Sequence, residues 1–185
     1  MRLPRFLLAG VLLAGSVLLL TELFAYRASG AVAFSIFTSV WLTLSIVNAG
    51  LGVFSAGYRP SEEAAALLPV FGLPAALAGV AWWAWPDGPT LPSPRLFWFL
   101  LAGLALWAAI ALLAALLIPH ATRETALRTA VAIFLPLWLA LQVVNLLVGV
   151  LIENYSVAEE LLILALNFVL TAAMPLAASR LAQRG

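Results

Sequence analysis

Residues Trp41 to Ala65 read WLTLSIVNAGLGVFSAGYRPSEEAA, and residues Trp138 to Leu162 read WLALQVVNLLVGVLIENYSVAEELL. The two stretches lie 97 positions apart and share Trp, Asn, Gly, Tyr and a Glu-Glu pair in register. Extending the match without gaps aligns 34–76 with 131–173 and gives 17 identities in 43 positions. Composition bias alone would give roughly five, so the chain contains a duplication. Phe37/Phe134, Trp41/Trp138, Asn48/Asn145, Gly52/Gly149, Tyr58/Tyr155, Glu62/Glu159, Glu63/Glu160 and Phe71/Phe168 carry the match, because such residues rarely coincide by chance. FLLAG recurs at 6–10 and 99–103, an offset of 93. The duplication therefore covers nearly the whole chain, as repeat A at 1–85 and repeat B at 94–181, joined by a linker at 86–93.

Outside these stretches the composition sets the solvent. Of 185 residues, 65% are hydrophobic and 9% charged. A water-soluble domain carries about a quarter charged residues, so this chain cannot cover its surface with polar groups. It reads as an all-α integral membrane protein, 1–185 forming a single membrane domain. Six apolar segments follow from hydropathy and breaker residues: 5–26, 31–56, 63–85, 96–118, 128–152 and 159–181. Each covers a hydrocarbon core of ~30 Å at about 1.5 Å per residue. Backbone polar groups in lipid must pair internally, so the spans are helices. The first segment follows Arg2 and Arg5 as a secretory signal would, but it is long for one, and its opening PRFLLAG returns as PRLFWFLLAG at 94–103.

Arginine sets the orientation. With the N-terminus in the cytoplasm, Arg2, Arg5, Arg59, Arg123, Arg128, Arg180 and Arg184 lie inside, and Arg27 and Arg95 outside. An even number of spans places both termini in the cytoplasm. Three spans per copy is odd, so the second copy enters the membrane from the other side, and the repeats are expected to be inverted. Tyr-Arg-Pro-Ser-Glu-Glu on the inner side and Tyr-Ser-Val-Ala-Glu-Glu on the outer keep arginine only where the cytoplasm is expected.

Phe37, Trp41, Ser45, Asn48 and Gly52 fall on one helix face, as do Phe134, Trp138, Gln142, Asn145 and Gly149. Spans 1 and 4 carry almost no polar side chains, so they are expected to face lipid, with spans 2, 3, 5 and 6 building the interior. A candidate pathway then runs at the pseudo-two-fold between spans 2 and 5, lined by Asn48, Asn145, Ser45, Gln142, Trp41 and Trp138. The plainer account is a packing seam in which the carboxamides bond across the two helices and the glycines permit close approach. Glu62 and Glu63, with Glu159 and Glu160, are either cation mouths or ordinary acids in a first helical turn, with Ser61 as the N-cap of span 3. Pro69, Gly72 and Pro74 in span 3, Pro136 in span 5 and Asn167 and Pro175 in span 6 are either interruptions of the helices at a binding site or tolerated structural kinks. Tyr58, Tyr155, His120 and the AWWAW run at 81–85 read as interfacial residues. Glu22 is an isolated acid that could meet Arg27 or the headgroups.

Absences exclude several chemistries. With no cysteine and no lysine, thiol chemistry, iron–sulfur ligation and Schiff-base cofactors are out. One histidine cannot supply bis-histidine haem or a clustered zinc site. A net charge of +1 argues against nucleic acid. No nucleophile–base set stands out, so no enzyme activity, cofactor or metal is expected. The expected function is a small transporter or channel for a small solute or ion; the alternative is an accessory or scaffold subunit of a membrane complex. The expected partners are membrane lipids, a second copy or other membrane subunits. The Arg-only, Ala-, Leu- and Pro-rich composition points to a GC-rich prokaryote, and so to its cytoplasmic (inner) membrane.

Overall fold

A computed structural model describes residues 3–24 and 28–182. Arg2, Arg27 and Arg184, which enter the orientation count, lie outside the described residues. The described residues form six helices and no strand: α1 Leu3–Phe24, α2 Ser29–Ala56, α3 Pro60–Ala84, α4 Arg95–Leu117, α5 Arg123–Leu151 and α6 Val157–Ala182. All six are long and apolar enough to cross a membrane. Much of the outer surface is apolar, as a lipid-facing surface must be: Phe54, Leu68, Trp83 and Leu151 are all exposed.

Local chemistry sets the helix ends. α3 starts with Pro60 in its first turn, where a missing N–H costs nothing. Arg59 is its N-cap residue, and the Arg59 amide donates to Glu62 Oε2 at 3.2 Å. Ser61 is thus inside the helix and is not its cap. α5 starts five residues before its apolar run, because Thr122 Oγ1 accepts from the Thr125 amide at 3.1 Å and Arg128 pairs with Glu124 at 2.9 Å. α2 ends at Gly57 (φ 74) and the α5–α6 loop turns at Asn154 (φ 60). Glycine and asparagine are the residues that best tolerate this left-handed backbone. The following amides close both ends alike: Tyr58 N donates to Gly52 O at 3.1 Å, and Tyr155 N to Gly149 O at 3.0 Å.

Prolines do not interrupt the helices. α3 runs through Pro69 and Pro74, α5 through Pro136 and α6 through Pro175. A proline removes one donor, and neighbouring groups can re-satisfy the freed carbonyl. Pro74 cannot bond the carbonyl of Val70, and the Trp41 indole N–H takes its place at 3.1 Å. Hydroxyls on the outer face of α2 are also satisfied internally. Ser35, Thr38, Ser39 and Thr43 each donate to the carbonyl four residues earlier, which lets them face lipid.

Spans 1 and 4 are not the lipid-facing pair: they are the most buried of the six, although Leu8, Val11, Phe97 and Leu101 remain exposed. α1 and α4 share the largest helix–helix interface and form the centre of the bundle; α2 and α3 flank α1, α5 and α6 flank α4, and α2 and α5 share no extended interface. The buried face of α1 carries Phe6, Ala9, Leu13, Ser16, Leu20 and Leu23; that of α4 carries Phe99, Ala102, Leu106, Ala109, Leu113 and Leu116. The spacing alternates three and four, the seam period of knobs-into-holes packing. Every α1 position has its α4 partner 93 residues on. The two helices run in opposite directions: Ser16 Oγ donates to Ala102 O at 2.9 Å, and Arg95 Nη2 to Leu23 O at 2.7 Å. The apolar character of these spans was misread because lipid is as apolar as leucine, so hydrophobicity cannot separate a lipid face from a packed seam. Small residues mark the packed faces: Ala9 and Ala102 are fully buried, and beside them Gly10 and Gly103 admit the flanking helices, a Cβ at Gly10 lying 2.7 Å from the Trp41 ring and 2.8 Å from Pro74, and one at Gly103 2.8 Å from the Trp138 ring and against Thr171.

Candidate functional site

The matched stripes of α2 and α5 pack inward against α1 and α4 in equivalent ways. Phe37 stacks on Trp41 with centroids 6.0 Å apart and planes at 14°; Phe134 and Trp138 do so at 5.8 Å and 14°. Both tryptophans are fully buried, as are Ser45 and Gln142. Asn48 is half-buried in the first triplet and Asn145 is buried in the second. With α1 and α4 between them, the two asparagines do not form a shared site, and a pathway between α2 and α5 has no place in this packing.

The Glu-Glu pairs divide their work. Glu62 and Glu159 are exposed and close the helix starts: the Ser156 amide donates to Glu159 Oε2 at 3.4 Å, while the Glu159 amide donates to Ser156 Oγ at 3.3 Å. This reciprocal arrangement is a capping box. The second glutamate of each pair turns inward over a glycine, Glu63 against Gly52 and Glu160 against Gly149, where a Cβ would collide with the carboxylate. Glu63 is half-buried, but Glu160 is only 5% exposed.

The two triplets diverge around these inner glutamates. In the second, a cavity of about 590 Å³ opens between the N-terminal ends of α4 and α6 and the C-terminal end of α5. Its polar wall is Arg95, Asn145, Glu153, Tyr155, Glu159, Glu160 and Asn167; Leu96, Phe99, Val148, Ile163 and Leu166 supply the apolar wall. Arg95 lies 3.9 Å from Glu153 while bonding the last carbonyls of α1. A cation at a helix C-terminus is favourable.

Below the cavity, polar groups continue toward the middle of the helices. Gln142 lies three residues from Asn145 on α5, and Thr171 four from Asn167 on α6, each one turn deeper on the same face. Gln142 Nε2 and Oε1, Asn167 Oδ1, Thr171 Oγ1 and Trp138 Nε1 are all buried with no hydrogen-bond partner among the described residues. Pro175 has no N–H to return to the Thr171 carbonyl, which leaves another acceptor at this depth. In the first triplet Val70 and Pro74 occupy the positions of Asn167 and Thr171, and Trp41 is bonded to Val70. That side is less polar, although Ser45 Oγ, at the position of Gln142, is also buried without a partner among the described residues.

Sequence matching therefore singled out Asn145, which repeats between the copies, and Gln142 on the same stripe, and not the α6 residues that lie beside them. Asn167 was noted only as a helix interruption, and Thr171, Glu153 and Phe99 were not singled out. The signal lay in departures from the repeat: Val70 to Asn167, Pro74 to Thr171 and Ala56 to Glu153 all exchange apolar for polar residues. Glu22, in contrast, lies within hydrogen-bonding distance of Ser29, and Gly88 packs tightly against both, docking the 85–88 turn onto the start of α2. No group of three or more acidic, histidine or cysteine side chains suited to a metal occurs among the described residues. Compared with family models, curated proteins and solved structures, the chain matches none of them.

Proposed function

We propose that the chain is a small non-catalytic transporter of a prokaryotic cytoplasmic membrane, built from two inverted three-helix repeats with both termini inside. The second-triplet cavity is its solute site, open to the outer face. The antiparallel α1–α4 pair and the equal burial of residues 93 positions apart support the inverted relation. Inverted repeats supply two near-equivalent packings, and alternating access exchanges them. The first triplet is then the closed gate, and its opening toward the cytoplasm is the second state.

One observation carries this reading: the unpartnered buried column of Gln142, Asn167, Thr171 and Trp138 under an open cavity. Each unmade buried hydrogen bond costs about 1–3 kcal/mol. A scaffold would gain by pairing these groups or replacing them with apolar ones, as the first triplet does at Val70 and Pro74. A site that exchanges water for solute needs them free.

The test is flux across proteoliposomes with a panel of small cations, anions and neutral solutes. At least one solute should cross above the protein-free background, and Gln142→Leu and Asn145→Leu should reduce that flux about tenfold or more. Asn48→Leu should slow release on the opposite side. Background flux for every solute would overturn the proposal.

A further inference from the structure

We propose that the second-triplet cavity takes a monovalent organic ammonium ion with an apolar body, its charge seated on the Glu160 carboxylate. This deepens the transport reading and rests on it for the site's role, though not for its existence.

The charges in the cavity are unequally engaged. Arg95 is held by the Leu23 carbonyl and Glu153. Glu159 faces the Ser156 amide at the start of α6. Glu160 is the most buried of the three carboxylates, 5% exposed and packed over Gly149. An ionised carboxylate withdrawn from water is costly without a counter-charge. Its position in the first turn of α6 lets the positive end of the helix dipole offset part of that cost.

The acceptors next to it match a donor ligand. Asn167 lines the cavity, is 1% exposed, and its unpartnered atom is the acceptor Oδ1. Deeper in the column, outside the cavity wall, Gln142 offers both an acceptor and a donor beside Thr171 Oγ1 and Trp138 Nε1, so the wall that meets the ligand head is Glu160 and Asn167 Oδ1. An ammonium group has only donors to give and suits such a wall. An anion would meet three carboxylates against a single guanidinium among the described lining residues. A dehydrated multivalent metal would need several anionic ligands, and no such group exists among the described residues.

The remainder of the wall sets the rest of the ligand. Leu96, Phe99, Ile163 and Leu166 offer apolar contact, and two of the lining residues, Phe99 and Tyr155, are aromatic, a residue type that attracts ammonium ions. About 590 Å³ is within the range of small-molecule sites. A single deeply buried carboxylate, Glu160, flanked by these apolar side chains fits a single positive charge rather than a polyamine.

The test uses the full chain in nanodiscs, titrated calorimetrically with cyclohexylammonium, cyclohexanol and cyclohexanecarboxylate against empty nanodiscs. Cyclohexylammonium should bind saturably and at least tenfold more tightly than either isostere. Glu160→Gln should weaken it at least tenfold and Asn167→Val at least threefold, with helical signal and thermal midpoint kept. Glu124→Gln, which removes the same charge at the other end of α5, should leave affinity unchanged. If Glu160→Gln does not fold, Asn167→Val decides, since valine is what the first triplet carries there. Equal binding of the alcohol or carboxylate, or wild-type affinity in the variants, would overturn the assignment. Ammonium binding without flux of any solute sinks transport and leaves this site standing. Flux of a neutral solute that Gln142→Leu abolishes, with no preference for ammonium, sinks the ammonium assignment and leaves transport standing.

Discussion

The Trp41 indole donates to the Val70 carbonyl at 3.1 Å, a bond that exists because Pro74 has no N–H to offer that carbonyl. The equivalent pair in the second triplet, Trp138 and Asn167, is not bonded, and Trp138 Nε1 is left buried and unpartnered. Thr171 replaces Pro74 and keeps its own amide available to the helix. One substitution between the copies thus decides whether a buried indole closes a seam or faces a polar column.

This relationship predicts unequal effects of the same change. Trp41→Phe strands a buried carbonyl, which costs about 1–3 kcal/mol. Trp138→Phe loses similar packing but no bond. Reversible unfolding in mixed micelles should place Trp41→Phe about 1–2 kcal/mol below Trp138→Phe in stability. Equal destabilisation would show that the indole bond contributes nothing.

The glycines should divide by location. Gly10 and Gly103 have ring and side-chain atoms within 3.0 Å of an added Cβ, whereas Gly15 and Gly72 have nothing within 4 Å. Gly10→Ala and Gly103→Ala should each destabilise by about 1–3 kcal/mol through overpacking. Gly15→Ala and Gly72→Ala should be neutral or stabilise by up to about 1 kcal/mol through helix propensity. Thermal midpoints of the four variants check the sign at each site.

Ser16 is the polar link of the central seam, and its repeat partner is Ala109. Ser16→Ala should cost about 1 kcal/mol, the usual scale of an interhelical bond in a membrane. Ala102→Leu, at a position with no exposed surface, should cost about 3 kcal/mol by forcing α1 and α4 apart. A leucine tolerated there would contradict the central placement of the pair.

Topology is open to direct labelling because the chain has no cysteine. A membrane-impermeant maleimide should modify Thr90→Cys, in the linker, on intact cells. Ser61→Cys, at the start of α3, should react only after permeabilisation. The reverse pattern would invert the orientation and place the cavity at the cytoplasmic face.

Helix number and most boundaries were legible in sequence, since hydropathy measures what lipid requires. α4 was expected at 96–118 and occurs at Arg95–Leu117. The start of α5 was missed because its first turn, Arg123 to Ala126, is polar and capped rather than apolar. The Glu-Glu pairs were visible, but only coordinates separate a capping Glu159 from a buried Glu160. The centre of the bundle was misplaced because polar residues were used to mark the interior. In a membrane the better marker is small size, and the Ala-Gly of each FLLAG held that information. The candidate site was half visible: the stripe matched between copies pointed to Asn145 and Gln142, and only divergence pointed to Asn167 and Thr171.

The seam between α1 and α4 also bears on how the chain is made. Its partners Ser16 and Ala102 stand 86 residues apart, so the first helix leaves the ribosome long before its main neighbour has been translated. Until then Ala9, Leu13 and Leu20 must rest against lipid or the insertion machinery, and the bundle can close only when the fourth helix arrives beside them.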